Sequence, residues 1–183
     1  MFISRELRRT NIAEYVLYMW QVEDIIRAFG CDFMAIRREY LSRFEVETDE
    51  DRDEMADWWA NLVRMIREEG KTQGGHLTIN ELVVQQMTEL HAQLLASPKF
   101  PFYNAEYYKV LPFIVELRSK GAKEYGEIET CLNALYGVMM LRLQKKEVSA
   151  QTESAAKEIT TFLGMLSDYY KEDKEKGIKF EDD

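Results

Sequence analysis

The stretch EIETCLNALYGVMMLRLQKKEVS, Glu127 to Ser149, decides the fold. Ile128, Leu132, Leu135, Met139 and Leu143 recur at three- and four-residue intervals, the period that stacks side chains on one face of an α-helix. Cys131, Tyr136, Val138, Met140 and Leu141 cover most of the remaining circumference, and a helix apolar nearly all round belongs inside a protein. The spacing predicts a helix over 127–146 at the centre of a bundle. Glu127 and Glu129 suit the positive end of its dipole, and Arg142, Lys145 and Lys146 the negative end. Ser149 then offers an N-cap for a last helix carrying Ala156, Ile159, Phe162, Leu163, Leu166 and Tyr170. So short a connection makes the two helices antiparallel neighbours.

The same period recurs upstream, and no sustained apolar/polar alternation marks a strand. Asn11 and Glu14 can cap a helix that carries Ile12, Tyr15, Val16, Met19, Val22, Ile26 and Phe29 and stops at Gly30. A shorter helix from Asp32 holds Phe33, Ile36, Tyr40, Leu41 and Phe44. Thr48 is the expected N-cap of the next, with Met55, Trp58, Trp59, Leu62, Met65 and Ile66 as its buried stripe up to Gly70. Thr78 with Glu81 reads as a capping box opening a helix packed through Ile79, Val83, Leu90 and Leu94, which stops near Ser97 and Pro98. Between Pro98 and Gly121, Phe100, Phe102, Tyr103, Tyr107, Tyr108 and Phe113 crowd together, and Pro112 should break or kink the helix begun near Asn104. The fold class is therefore all-α, a single bundle of about six to seven helices. With no repeat and no long linker, one domain covers 1–170 and a charged, fraying tail covers 171–183.

The chain has 183 residues, 46% of them apolar and 31% charged, and a formal net charge of -9. At this length folding buries about 70% of the unfolded surface, enough for a real core. The negative charge is the wrong sign for attraction to phosphate backbones or anionic lipid, so neither nucleic acid nor a membrane is an expected partner. Arg5, Arg8 and Arg9 form a local basic patch, read as a solvated helix start. Ile12 to Trp20 is too short and too charged for a signal peptide or a membrane span, which points to the cytoplasm.

The familiar chemical signatures fail one by one. Cys31 and Cys131 form no Cys-x-x-Cys motif and read as free buried thiols. Neither His76 nor His91 follows a glutamate at three residues, as a carboxylate-bridged di-metal bundle requires. His91 reads as a hydrogen-bonded histidine at the border of an apolar stripe. Asp49, Asp51, Asp53 and Asp57 mimic a calcium loop, yet Glu54 stands where its turn needs glycine and Ala60 where it needs the bidentate acid. Glu47, Glu50, Glu54 and Asp57 have the internal spacings of helical nucleotide pyrophosphohydrolases, but they crowd one helix start and cannot face one another. No phosphate loop or nucleophile elbow is present. No catalytic residue, metal or cofactor is assigned.

Two groups remain as candidate sites. Arg142 lies on the line of Leu135 and Met139, so a half-buried guanidinium should seek a carboxylate on the first long helix. Glu14, Glu23 or Asp24 could supply it, with Gln21 and Asn133 as neighbours, as a structural network or a ligand contact. Tyr103, Tyr107 and Tyr108, with Trp58 or Trp59, could instead line a pocket between helices.

TNIAEYVLYMWQVEDIIRA, Thr10 to Ala28, together with the Glu127–Ser149 stretch, resembles an uncharacterised bacterial family, domain of unknown function 4924, over essentially the whole chain. The resemblance implies an all-helical cytoplasmic protein and brings no activity, cofactor or site residue with it. The residues themselves favour a non-enzymatic binding or interaction module, most simply a homodimer or one with a protein partner. The alternative is a small-molecule binder or enzyme using the aromatic pocket.

Overall fold

A computed structural model describes residues 1–120 and 125–180. Within them lie eight α-helices: α1 (Phe2–Thr10), α2 (Ile12–Ala28), α3 (Phe33–Ala35), α4 (Asp49–Glu68), α5 (Thr78–Ala96), α6 (Pro101–Ser119), α7 (Glu127–Leu143) and α8 (Ala150–Lys176). The architecture is the all-α bundle read from the periodicity. The count exceeds six to seven because α1 is a separate helix, broken from α2 at Asn11.

Start signals are largely where the residue types place them. Asn11 breaks α1 from α2 in extended backbone, and its side chain accepts from the Glu14 N–H at 3.1 Å. Thr48 accepts from Asp51 N at 3.0 Å and Ser149 from Thr152 N at 3.2 Å. At the other end of α2, Gly30 and Cys31 both take left-handed backbone, and the Cys31 N–H reaches back to the Ile26 carbonyl at 2.8 Å. The segment after Asp32 is less regular than one helix. A π-helical turn, Ile36–Tyr40, follows α3, and Leu41–Arg43 is 3-10. That turn stacks residues five apart, so Ile36 and Leu41 both face the core.

Three readings are corrected. The α5 start is not a Thr78–Glu81 capping box: Thr78 is already helical, its N–H and hydroxyl both donate to Glu69, and Glu81 pairs with Lys71 at 3.1 Å. Ile79, expected to pack, is exposed. Pro112 does not break α6, which is continuous around it. The buried side chains of α6 are Tyr103, Glu106, Tyr107, Val110 and Ile114, whereas Pro112 faces solvent, where water can serve the carbonyl that loses its N–H partner. The aromatic crowd divides accordingly. Tyr103 and Tyr107 turn inward, and Phe102 and Tyr108 turn out, Tyr108 being 64% exposed.

The core is one cluster drawn from every helix except α1 and α3, and fully burying a side chain such as Ile12, Ile26, Ile66 or Leu94 contributes about 1.5–3 kcal/mol. α7 packs against α2, α5, α6 and α8, as its composition requires, but past Leu132 only Val138 is fully buried. α8 has the wider reach and touches α1, α2, α5, α6 and α7. Its Ser167 hydroxyl accepts the Ala13 N–H at 3.2 Å and so completes the start of α2 from across the bundle. α8 runs on to Lys176, past the expected domain end at 170. Phe180 then folds back against Phe100, its carbonyl accepting from Ser97 Oγ at 3.1 Å. The expected boundary at Gly121 and the last three residues of the tail lie outside the described residues. No helix among the described residues is long and apolar enough to cross a membrane.

Candidate functional site

A carboxylate near the end of α2 organises the most polar part of the interior. Glu23 is 0% exposed, so its charge has lost all hydration and must be replaced by donors. Three supply it: His76 Nδ1 at 2.7 Å, the Leu77 N–H at 2.9 Å and Asn80 Nδ2 at 2.7 Å. Two of these belong to the first turn of α5 and its N-cap, where unpaired N–H groups and the helix dipole favour negative charge. Glu23 thus caps a helix more than fifty residues away in sequence. Arg27 braces the same loop, donating through Nε to the Lys71 carbonyl at 3.0 Å and through Nη2 to the Gly75 carbonyl, while Nη1 holds Asp24 at 2.9 Å. Gly75 has a φ of +78°, and a Cβ there would come within 3.1 Å of Lys71, so the close approach favours glycine.

Rings fill the space around these charges. His76 stacks on Trp20 with centroids 4.2 Å apart, and Tyr136 of α7 meets Trp20 edge-on at 5.7 Å. The Tyr136 hydroxyl donates to Asp24 at 2.6 Å; burial first, then that hydrogen bond, pushes its pKa well up. Outside the stack a cleft of about 450 Å³ opens between α5 and the start of α7, lined by Trp20, His76, Glu81, Val84, Gln85, Thr88, Glu89, Gly126 and Glu129.

A second network lies deeper, among α5, α6, α7 and α8. His91 Nδ1 is 2.7 Å from the Tyr103 hydroxyl, Nε2 is 3.4 Å from Glu127 Oε2, and Tyr107 donates to that same oxygen at 3.0 Å. A carboxylate can only accept, so Nε2 carries the proton and Nδ1 accepts from Tyr103. Burial lowers the His91 pKa, with Glu127 opposing it only in part. Burial likewise drives the Tyr107 hydroxyl and the Cys131 thiol up to about 12. These groups hold their protons at neutral pH, which suits a structural network better than a base or a nucleophile.

The residues expected to meet around Arg142 do not. Its guanidinium is 59% exposed and pairs with Glu153 in the first turn of α8. Glu23 and Asp24 serve the α5 start instead. Glu14 and Arg142 share only the rim of a groove, Gln21 is half-buried on α2, and Asn133 lines a different groove facing α6. The aromatic pocket does not form either. Tyr103 and Tyr107 pack around His91 and Phe162, Tyr108 points to solvent, and Trp59 of α4 packs on Tyr40 with Trp58 beside it. Sequence reasoning missed His76, Asn80 and Glu127. The signal that could have found the first is a histidine set between glycines and a helix start.

A family model described as "Domain of unknown function (DUF4924)" matches residues 1–177. No curated protein and no solved structure matches the chain.

Proposed function

The chain belongs to that domain-of-unknown-function family, DUF4924, and we propose that it is a non-enzymatic, cytoplasmic interaction module whose docking surface is the second half of α7, covered in solution by a second copy of itself. One observation carries the reading: a helix apolar nearly all round is buried through Leu132 but beyond it only at Val138, its other apolar residues there being partly or largely exposed. Leu143 is 57% exposed, and Leu135, Met139, Met140 and Leu141 are half-buried. Grooves run along both flanks. One of about 650 Å³ lies between α2, α7 and α8 and holds Leu17, Leu135, Met139 and Leu143; another of about 350 Å³ lies between α6, α7 and α8 and holds Phe113, Leu117, Val138 and Leu141. Contiguous apolar surface of this kind marks an interaction face.

Charge selects the occupant. The first groove is rimmed by Glu14 and Glu153 against Arg142 and Lys157, the second by Glu116 against Lys120. Both rims balance on a chain of net charge -9, so this face repels a second copy least and can pair with itself across a two-fold axis. The chemistry-bearing groups of the second network are engaged and hold their protons, in keeping with a module that is not an enzyme. Two buried free thiols suit a reducing compartment, and the acidic surface disfavours nucleic acid and membranes as partners.

Sedimentation velocity at high micromolar concentration tests the proposal. A dimer is expected for the native chain, and a monomer with unchanged helicity and melting temperature for Met139→Glu combined with Leu143→Glu. A native monomer, or a double variant that still dimerises, would overturn it.

A further inference from the structure

Packing continues past the end of α8. Gly177 closes that helix with a φ of +73°, the left-handed turn that glycine accepts at a helix C-terminus. Ile178 and Phe180 then both pack on the core while Lys179 between them is exposed, the two-residue period of an extended chain laid along a surface. Side chains hold both apolar residues by their backbone: Asp173 accepts the Ile178 N–H at 3.2 Å, and Ser97 Oγ donates to the Phe180 carbonyl at 3.1 Å.

The surface under this strap comes from three helices. Phe100, just before α6, meets the Phe180 ring at 5.7 Å and Tyr169 of α8 edge-on at 5.2 Å, and Tyr169 meets the buried Tyr103 at 5.8 Å. Ser97, which ends α5, is only 6% exposed, so its hydroxyl is a buried donor aimed at a main-chain carbonyl. All four residues lie inside the stretch matched by the family model, which stops at residue 177. Ile178, Lys179 and Phe180 lie beyond it, so the surface belongs to the domain and the strap occupies it. An aromatic wall for alternate side chains, with a hydroxyl for the main chain, is what an extended peptide needs.

We propose that this surface is a docking site for an extended segment of a partner protein with the pattern apolar-x-aromatic, and that Ile178–Phe180 is its built-in occupant, which shuts the site until displaced. The middle residue of the partner segment faces solvent, as Lys179 does, and is unconstrained. Tethered through one glycine, the strap is present at an effective concentration of about millimolar, against which the partner competes. The site is separate from the α7 docking face, whose α8 residues run only from Gln151 to Gly164.

The probe is a fluorescein-labelled, amidated peptide of residues 174–180, KEKGIKF, read by fluorescence anisotropy. It is titrated with the native full chain and with the same chain carrying Ile178→Ser and Phe180→Ser, which frees the site. The double variant is expected to keep its helicity and to bind the peptide at least about tenfold more tightly than the native chain. A peptide with serine in place of both apolar residues should bind neither chain, and adding Ser97→Ala to the double variant should weaken binding by about fivefold. Equal affinity of the native and freed chains would overturn the proposal, as would no binding to the freed chain at millimolar peptide, equal binding of the serine peptide, or no effect of Ser97→Ala. So would a double variant that no longer folds, because the strap would then be part of the domain and not an occupant of it.

Discussion

Replacing Glu23 by alanine removes the single acceptor on which three donors converge: the half-buried His76 Nδ1 and the buried Leu77 N–H and Asn80 Nδ2, all within 2.9 Å of it. Each stranded donor costs about 1–3 kcal/mol, so the sum starts near 3 kcal/mol even if water reaches part of the gap. For a chain of this length 1 kcal/mol moves the melting temperature by about 2–4 °C, which sets the expected drop at about 6–12 °C. Circular dichroism at pH 7 reads that drop. Hydrogen exchange adds a local readout, because the Leu77 amide should lose protection before the core of α8 does. Asn80→Ala alone should be costly, but much less so in the Glu23→Ala background, where its partner is already gone. A melting temperature within about 2 °C of the native value for Glu23→Ala, on the same scale, would refute the view that this carboxylate caps α5.

Further outcomes follow from the same geometry. His91 has its folded pKa depressed below 6.5, so between that lower value and 6.5 the unfolded chain binds more protons. Stability should therefore fall as the pH drops below about 6.5, and His91→Gln should flatten that slope in melts recorded between pH 7 and 5; an unchanged slope would contradict the buried neutral ring. Pro112→Ala restores an N–H within an already helical, solvent-facing turn of α6 and should stabilise the chain by about 1–3 kcal/mol in urea titration, whereas a loss of stability would show that the proline is needed for packing. With its thiol at about pKa 12 and no exposure, Cys131 should resist a thiol-disulfide dye at pH 8 until denaturant is added. Fast labelling in the native state would contradict that.

Local signals carried the helices and their caps well: Asn11, Thr48 and Ser149 each act on their own first turn, and local chemistry is what a single sequence displays. The Glu127 helix was readable as buried because ten apolar residues surround it, yet its second half emerges, since composition says what should be covered and not what covers it. Pro112 misleads for a related reason. Its penalty depends on whether the lost hydrogen bond faces water, and that is a property of the bundle. The polar interior escaped because its partners are remote. Glu23 meets His76 and Asn80 across more than fifty residues, and His91 meets Glu127 across thirty-six. A heptad-like pattern cannot choose among the many carboxylates that could serve, which is why the spacing of Arg142 pointed to Glu14, Glu23 or Asp24 and the fold pairs it with Glu153.

The reach of α8 bears on how the protein is born. This helix is the last of the eight to leave the ribosome, and it supplies contacts to α1, α2, α5, α6 and α7 as well as the hydroxyl that finishes the start of α2. A nascent chain ending before Ala150 carries seven helices, of which α2, α5 and α6 share α7 but still lack the surface that α8 supplies to each of them. Such a chain must wait, exposed to chaperones and to its neighbours on the polysome, until the final element arrives and closes the bundle in one cooperative step.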